Sequence, residues 1–562
     1  MDYLLYIGVM IAIYVILSTS FNLLIGIGGL FALSHAAFYS FGAYSTAILA
    51  TRYGLAFPLP MLVGILVAAS IGALVALPAL RISGVYLVIV TLALQFIVVN
   101  AYDNGGSLTG GTDGLPGIAP IEIAGIQLST PGKFLPLAVL MAVFCLWFGW
   151  RLVHSPYGRA LRAMRENEIA VQAAGKNVVA MKLTIFAVSS GLAAIAGSLF
   201  ARYFQYVGPQ SFGVEETIYI LAMVIIGGTG NLWGSALGAA LLVALPEGLK
   251  YLDMPVDVAD KTRLLLYGVL LIVILRFRPE GLIAERGSDR RSLAGVTAIP
   301  LTQAAPVRQP DSAATVEGRD LYKAFGGVVA VSGCNIALRA GTVTGLIGPN
   351  GAGKTTAFNL LTGFLKPDRG TVLFNGRSVV GLKPYQIVRN GMARSFQDLR
   401  LYRRMTVLDN VVVSLPDQSG DSLWAVFMRP AHVRRQDHEN TARALGVLEF
   451  VGLAHKALER AEDLSYAEEK LLVIARLLAT QADVLLFDEP LSGLDPLTLD
   501  GLLPVFRKIA AHGKTVCIIE HNLDVIKSLC DVVYFLDEGK TLAVGTPAEL
   551  MGDPELAARY FK

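Results

Sequence analysis

Apolar residues fill the first half of the chain in long blocks with few polar interruptions, then give way to shorter alternating and periodic stretches. Spanning about 30 Å of hydrocarbon takes roughly 20 helical residues. Apolar runs of that size occur at 4–21, 32–50, 59–80, 85–101, 134–153 and 183–204, and shorter ones at 217–226, 232–245 and 264–277. The pattern predicts about nine membrane segments, or eight to ten if the short runs are tilted, broken or re-entrant. Residues 285–315 hold Ala, Ser, Thr, Pro and scattered charges with no sustained apolar period, a linker composition. From about Val316 the texture becomes α/β, with short strand-like apolar runs between helical stretches. The expected organisation is a polytopic all-α membrane domain over 1–284, a linker over 285–315 and an α/β domain over 316–562.

Composition agrees with this division. Of 562 residues, 54% are hydrophobic and 16% charged, against about 25% charged in ordinary soluble domains, and the mean hydropathy is +0.56. Only seven charged side chains fall in the first 150 residues, Asp2, Arg52, Arg81, Asp103, Asp113, Glu122 and Lys133. A disordered chain, a small secreted scaffold and a nucleic-acid binder driven by bulk charge are all disfavoured, and the net charge of +3 says little about partners. The four cysteines, Cys145, Cys334, Cys517 and Cys530, show no metal-ligand or CxxC spacing and read as buried reduced thiols.

Short loops rich in Lys and Arg mark the cytoplasmic side. The connection 154–182 holds Arg159, Arg162, Arg165, Lys176 and Lys182, and Arg276, Arg278, Arg286, Arg290 and Arg291 come at and after the end of the last run. Nine spans then put the N-terminus and the loop 104–132 outside, with the α/β half in the cytoplasm. Met1-Asp2 lacks the basic start of a cleavable signal, so the first run reads as a permanent span. Glycine clusters at 26–29 and 227–230 fit either broken helices around a midplane site or close helix packing, the commoner use. His35 is the main ionisable residue within the apolar runs, near a span end where it can face water. So little intramembrane charge argues against a proton relay or an ion pump.

The α/β half carries the chemistry. Residues 343–347 read as a buried strand running into Gly348-Pro-Asn350-Gly351-Ala-Gly353-Lys354-Thr355, with Thr356 and an apolar helical stretch after it. This is the G-x-x-x-x-G-K-[ST] pattern. Its backbone N–H groups and helix N-terminus can cradle phosphates, its Lys can reach the β- and γ-phosphates, and the Thr355 hydroxyl can ligate Mg²⁺. A second apolar strand, 484–487, ends in Asp488 and Glu489. Asp488 is placed to hold Mg²⁺, directly or through water, and Glu489 to polarise an attacking water.

Together with other segments in order, these features resemble the ATPase domain of ABC transporters over nearly all of 316–562. Gln397, in Arg394-Ser-Phe-Gln397, matches the Q-loop glutamine that senses Mg²⁺ and the membrane domain. Ser492-Gly-Leu-Asp495 matches the D-loop, and His521, in Ile519-Glu-His521-Asn522, the switch histidine at the γ-phosphate. Phe325 stands where the family stacks an aromatic ring on adenine, with Tyr322 the competing candidate. The resemblance implies ATP and Mg²⁺ as ligands and head-to-tail pairing, each signature completing the opposite site. This chain's signature departs from Leu-Ser-Gly-Gly-Gln, reading Leu464-Ser465-Tyr466-Ala467-Glu468. Ala467 adds a Cβ where the backbone approaches phosphate, and Glu468 brings negative charge to an anion site. The expectation is pairing with a different ATPase subunit, leaving one composite site weaker, against the alternative of neutral drift.

The membrane half resembles the permeases of branched-chain amino acid ABC importers over most of 15–281. The residues that carry this are Ser20-Phe-Asn-Leu-Leu-Ile-Gly26, Ser34-His-Ala-Ala-Phe38 with Gly42-Ala-Tyr44, Leu80-Arg81-Ile-Ser-Gly84-Val-Tyr86, and Thr109-Gly-Gly-Thr-Asp-Gly114. The run 155–168 and Gly227-Gly-Thr-Gly230-Asn-Leu-Trp233-Gly234 add to it, and Phe325-Gly-Gly and Glu520-His-Asn tie the ATPase half to the same systems. The run 154–168 has helix-forming composition after Pro156 and is expected to dock on the ATPase near Gln397. The resemblance implies a permease–ATPase fusion in a bacterial cytoplasmic membrane, importing leucine, isoleucine and valine. It also implies a second permease, a second ATPase, an external substrate-binding protein and contact with membrane lipid. Two copies of this chain are the other way to complete the pair. Import of urea, short amides or aromatic and other small carboxylic acids is the nearest alternative. An exporter or a non-transporting membrane-anchored ATPase is more remote.

Overall fold

The computed structural model describes residues 2–78, 82, 84–249, 268–285, 293, 295–301 and 314–556. Leu80, Arg81, residues 264–267 of the ninth apolar run, Arg286, Arg290, Arg291, most of the 285–315 stretch and residues 557–562 lie outside the described residues. Two compact units emerge. One comprises Met1–Arg165 with Val178–Arg286, the other Glu166–Asn177 with Gly287–Lys562.

The first unit is helical. Its helices are α1 (Asp2–Asn22), prolonged by a π-helical turn at Leu23–Ile27, then α2 (His35–Tyr53), α3 (Leu59–Val75), α4 (Val85–Asp103), α5 (Pro131–Val153) and α6 (Pro156–Glu166). After α7 (Glu168–Ala173), which belongs to the second unit, come α8 (Val178–Phe204), α9 (Val214–Gly227), α10 (Leu232–Leu249) and α11 (Gly268–Phe277). Over the described residues, each of the nine apolar runs falls on one of these helices. Among the described residues, five helical stretches are long and apolar enough to cross a membrane by length and composition: α1 with its π turn, α4, α5, α8 and Pro209–Gly227. The described loops carry two small pairings, β1 (Leu115–Pro116) with β4 (Tyr206–Val207) and β2 (Glu122–Ile123) with β3 (Ile126–Gln127).

The two glycine clusters meet each other. A Cβ on Gly26 would overlap Asn22 Oδ1 and the Gly230 backbone nitrogen, so only glycine permits this approach. Asn22 fastens the contact: its Oδ1 accepts from Gly230 N at 2.8 Å and its Nδ2 donates to Asn231 O at 2.9 Å. Both clusters lie where helices are interrupted, and the two interruptions pack closely on each other. His35 does not face water; it is 1% exposed, its Nε2 lies 2.8 Å from Ser20 Oγ and its ring stacks on Phe21. The loop 28–34 brings it back beside α1, which the linear pattern could not show.

In the second unit a four-stranded antiparallel sheet, ordered β6-β5-β8-β9, is built from β5 (Ala314–Phe325), β6 (Val328–Arg339), β8 (Arg369–Phe374) and β9 (Arg377–Ser378). A six-stranded sheet, ordered β10-β11-β12-β7-β13-β14, holds β7 (Val343–Ile347), β10 (Met392–Arg394), β11 (Val484–Asp488), β12 (Thr515–Ile519), β13 (Val532–Asp537) and β14 (Lys540–Gly545). All its pairs are parallel except the β13–β14 hairpin. The strands β7, β11 and β12 are buried at every position, which is why they read as unbroken apolar runs.

Around the sheets lie α12 (Lys354–Leu361), α13 (Pro384–Arg389), α14 (Val407–Ser414), α15 (Leu423–Met428), α16 (Pro430–Val451), α17 (Tyr466–Ala479), α18 (Pro496–Ala511), α19 (Leu523–Leu529) and α20 (Pro547–Met551). The stretch Glu166–Asn177 joins this unit through several bonds. Lys176 Nζ donates to Asp421 Oδ2 at 2.7 Å and to Leu415 O, and Arg389 Nε donates to Gly175 O. Ala170, Ala173 and Ala174 share a small cavity with Phe396, Leu399 and Arg400, beside Gln397. The docked piece is thus α7 and its flanks. The helix α6, which carries most of the run expected to dock, packs in the first unit, where Arg165 pairs with Glu285 at 2.8 Å.

Candidate nucleotide site

In a parallel sheet the C-terminal strand ends point one way and gather loops into one crevice. Here β10, β11, β12 and β7 are consecutive neighbours, and the segments leaving their C-terminal ends carry, in that order, Gln397, Glu489, His521 and the 348–353 loop. Residues separated by more than 170 positions are collected at one edge by strand order alone.

The loop after β7 turns at Gly348, where φ is +150° and a Cβ would overlap Leu536 O. Gly351 and Gly353 lie in the left-handed region, and Gly353 caps α12. Asn350 and Thr355 are exposed and Thr356 is half-buried. Lys354 is buried and folds over the loop, donating to Gly348 O at 2.7 Å and Pro349 O at 2.9 Å. Burial lowers its pKa, opposed by the nearby Glu489 and Asp488 carboxylates.

Gln397, Glu489 and His521 come together. Glu489 Oε2 accepts from Gln397 Nε2 at 3.1 Å, and Oε1 lies 3.1 Å from His521 Nε2. Glu489 has φ +50°, uncommon for a side chain with a Cβ and a form of strain found at functional positions. Its backbone is held by Ile519 O and by Lys470 Nζ, at 3.0 and 2.9 Å. Asp488 is buried, with Oδ2 3.1 Å from Arg394 Nη2 and Oδ1 without a hydrogen-bond partner among the described residues. Burial raises its pKa, and Arg394 works against that rise. A buried carboxylate oxygen left without a hydrogen-bond partner among the described residues, with a threonine hydroxyl and a glutamine amide on segments leaving neighbouring strands of the same sheet, is the kind of hard oxygen donor set that fits Mg²⁺.

The signature and D-loop residues cap helices beside this cluster, and Ser492 Oγ donates to Glu489 O at 3.1 Å. Ser465 is the N-cap of α17; its backbone N–H and hydroxyl both donate to Glu468 Oε2 at 2.9 Å. Lys456 Nζ also reaches Glu468, and these bonds, against some desolvation, bring its pKa to about 2. Glu468 is therefore a neutralised helix cap, and its charge is not delivered bare to an anion site. Asp495 caps α18 through Thr498, and Tyr466 OH reaches Ser492 O at 3.4 Å. Phe325 ends β5 and is 47% exposed, with Lys323 Nζ over its ring at 5.7 Å, and Arg369 lies over the Tyr322 ring at 5.6 Å. Sequence reasoning gave no role to Arg394, Asn359, Lys456 or Lys470. Arg394 lay inside a quoted motif, but its partner is 94 residues away on the neighbouring strand.

A family model described as "Branched-chain amino acid transport system / permease component" matches residues 3–275, and one described as "ABC transporter" matches residues 331–492. The high-affinity branched-chain amino acid transport ATP-binding protein LivG of Salmonella typhimurium is 39% identical over 243 residues, covering 43% of this chain and 94% of that protein. The corresponding BraF of Pseudomonas aeruginosa is 35% identical over 246 residues, 44% of this chain and 96% of its own. The permease protein LivM of Salmonella typhimurium is 34% identical over 300 residues, 49% of this chain and 69% of its own length. A solved ABC-transporter cassette in its ADP conformation is 30% identical, covering 44% of this chain and 99% of its own, with a TM-score of 0.40. With one half matching the permeases and the other the ATP-binding proteins of the same transport systems, the chain belongs to the branched-chain amino acid ABC transporter family, as a multi-pass permease fused to its ATP-hydrolysing component.

Proposed function

We propose that this chain drives import of leucine, isoleucine and valine across a bacterial cytoplasmic membrane, with its N-terminus outside and its ATPase unit in the cytoplasm. One observation carries the substrate class: the two halves independently resemble a permease and an ATP-binding protein of branched-chain amino acid transport from the same organism. The proposed complex adds a second permease, a second and different ATPase subunit and an external binding protein.

In this reading the amides of Gly348, Asn350, Gly351 and Gly353 surround the phosphates, and Lys354 swings from its loop carbonyls onto the terminal phosphates. Thr355, Thr356, Asp488 and Gln397 hold the phosphate and Mg²⁺ side of the site. When bound, the ion neutralises charge on the phosphate oxygens. Glu489 takes the proton of the attacking water, while Gln397 and His521 hold its carboxylate from opposite oxygens, an arrangement supported by the two 3.1 Å contacts. Phe325 offers its half-exposed ring to adenine. Ser465 and Asp495 face the nucleotide of the partner ATPase. Glu489→Gln is expected to abolish uptake and ATP turnover while ATP binding persists; surviving uptake would remove Glu489 from this role.

A further inference from the structure

Arg394 ends β10 and is 2% exposed. Its guanidinium divides three ways. Nε donates to Ser395 O at 3.0 Å, Nη1 to Asn359 Oδ1 at 2.6 Å and Nη2 to Asp488 Oδ2 at 3.1 Å. The rings of Phe396, at 4.7 Å, and of Phe358 and Phe364, at 5.8 Å, enclose the group. A planar fork held in this way has one orientation. Asn359 lies four residues after Thr355 on α12, so the two share a helix face. A single rigid group therefore spans the two elements that carry Thr355 and Asp488. It occupies one carboxylate oxygen of Asp488 and leaves the other, Oδ1, buried and without a hydrogen-bond partner among the described residues.

We infer that Arg394 is a positioning residue for the divalent cation: it fixes the spacing of α12 from the end of β11, and it turns Asp488 so that Oδ1 is the oxygen offered to the ion. The inference rests on the assignment of Thr355 and Asp488 to cation binding. Arg394 also carries a positive charge, which by itself would compete with the ion for Asp488. Spacing and competition give opposite results when the fork is removed, so they can be separated.

The test uses the full chain carrying Glu489→Gln in lipid nanodiscs, with ATP present and Mn²⁺ titrated by electron paramagnetic resonance. Arg394→Lys keeps the charge and loses the fork; Arg394→Met loses both. Both are expected to weaken Mn²⁺ binding by about 10- to 100-fold, the range for loss of a group that orients a metal ligand, with ATP binding in EDTA held within about twofold. Asn359→Ala cuts one arm of the fork and is expected to weaken Mn²⁺ binding less, in the same direction; it decides the matter if the arginine variants do not fold. Parental affinity in Arg394→Lys, tighter Mn²⁺ binding in Arg394→Met, or an unchanged Asn359→Ala would overturn the inference. Absence of ATP-dependent Mn²⁺ binding in the Glu489→Gln parent would overturn the cation-site assignment beneath it.

Discussion

At the scale of single residues, the altered signature separates into two effects. The Glu468 carboxylate is engaged by Ser465 and Lys456, so its charge is balanced locally, while the Ala467 methyl remains as the departure that a phosphate would meet. Ala467→Gly is accordingly expected to raise ATP turnover of the assembled complex severalfold. Glu468→Gln alone should change it little and cost about 1 kcal/mol of helix capping, measurable by thermal unfolding. Glu520 supplies a pH dependence. It is 2% exposed, accepts from Leu491 N at 2.8 Å, and burial lifts its pKa from 4.5 to about 7. The folded state then keeps a proton that the unfolded chain releases, so the contribution of Glu520 to stability is fully present below pH 4.5 and is lost as pH rises towards 7, by at most about 3 kcal/mol. Glu520→Gln retains the acceptor for Leu491 and should flatten that slope in a series of unfolding scans; an unchanged slope would remove Glu520 as its source. The phosphate loop, Asp488 and Glu489 were legible in the sequence because each is a local strand-then-turn pattern with a chemical reason for its residue types. The contact of Gln397 and His521 with Glu489 was not, since it depends on β10, β11 and β12 being neighbours, and Arg394 was hidden for the same reason.

At the scale of elements, periodicity and run length located the helices of the first unit, because a segment in hydrocarbon must satisfy its backbone internally and be apolar over most of its length. The same pattern left the use of the glycines open. Their use is decided by a partner more than 200 residues away, as Asn22 and Gly230 show. The connection after α5 was also only half legible. Its composition gave helix and positive charge, but the break at Asn167, whose side chain caps α7, divides it between two units. Lys176 is 4% exposed and pairs with Asp421 at 2.7 Å, so Asp421→Ala removes a charged partner from a buried ammonium, at a cost of about 1–3 kcal/mol. The docking of this segment should loosen, and uptake should fall about tenfold or more with ATP turnover largely retained. Parallel loss of both activities would instead make the pair a general stabiliser of the ATPase unit.

At the scale of the whole molecule, an ATP-hydrolysing unit and a permease unit share one polypeptide whose chain passes between them three times, at 165–166, 177–178 and 286–287. Fusion keeps one permease and one ATPase at fixed stoichiometry, and the α7 stretch, packed within the ATPase unit, is covalently continuous at both ends with permease helices. The charge-poor helices of the first unit suit an apolar cargo, though recognition by an external binding protein would carry much of the specificity. The most direct test of energised import is uptake of labelled leucine by cells that express the chain with its partner subunits, in wild-type form and as Lys354→Ala. The account requires uptake in the wild type and its loss to background in the variant. Undiminished leucine uptake in Lys354→Ala would contradict it, leaving the transporter architecture but moving the cargo to another class, such as urea, short amides or aromatic acids.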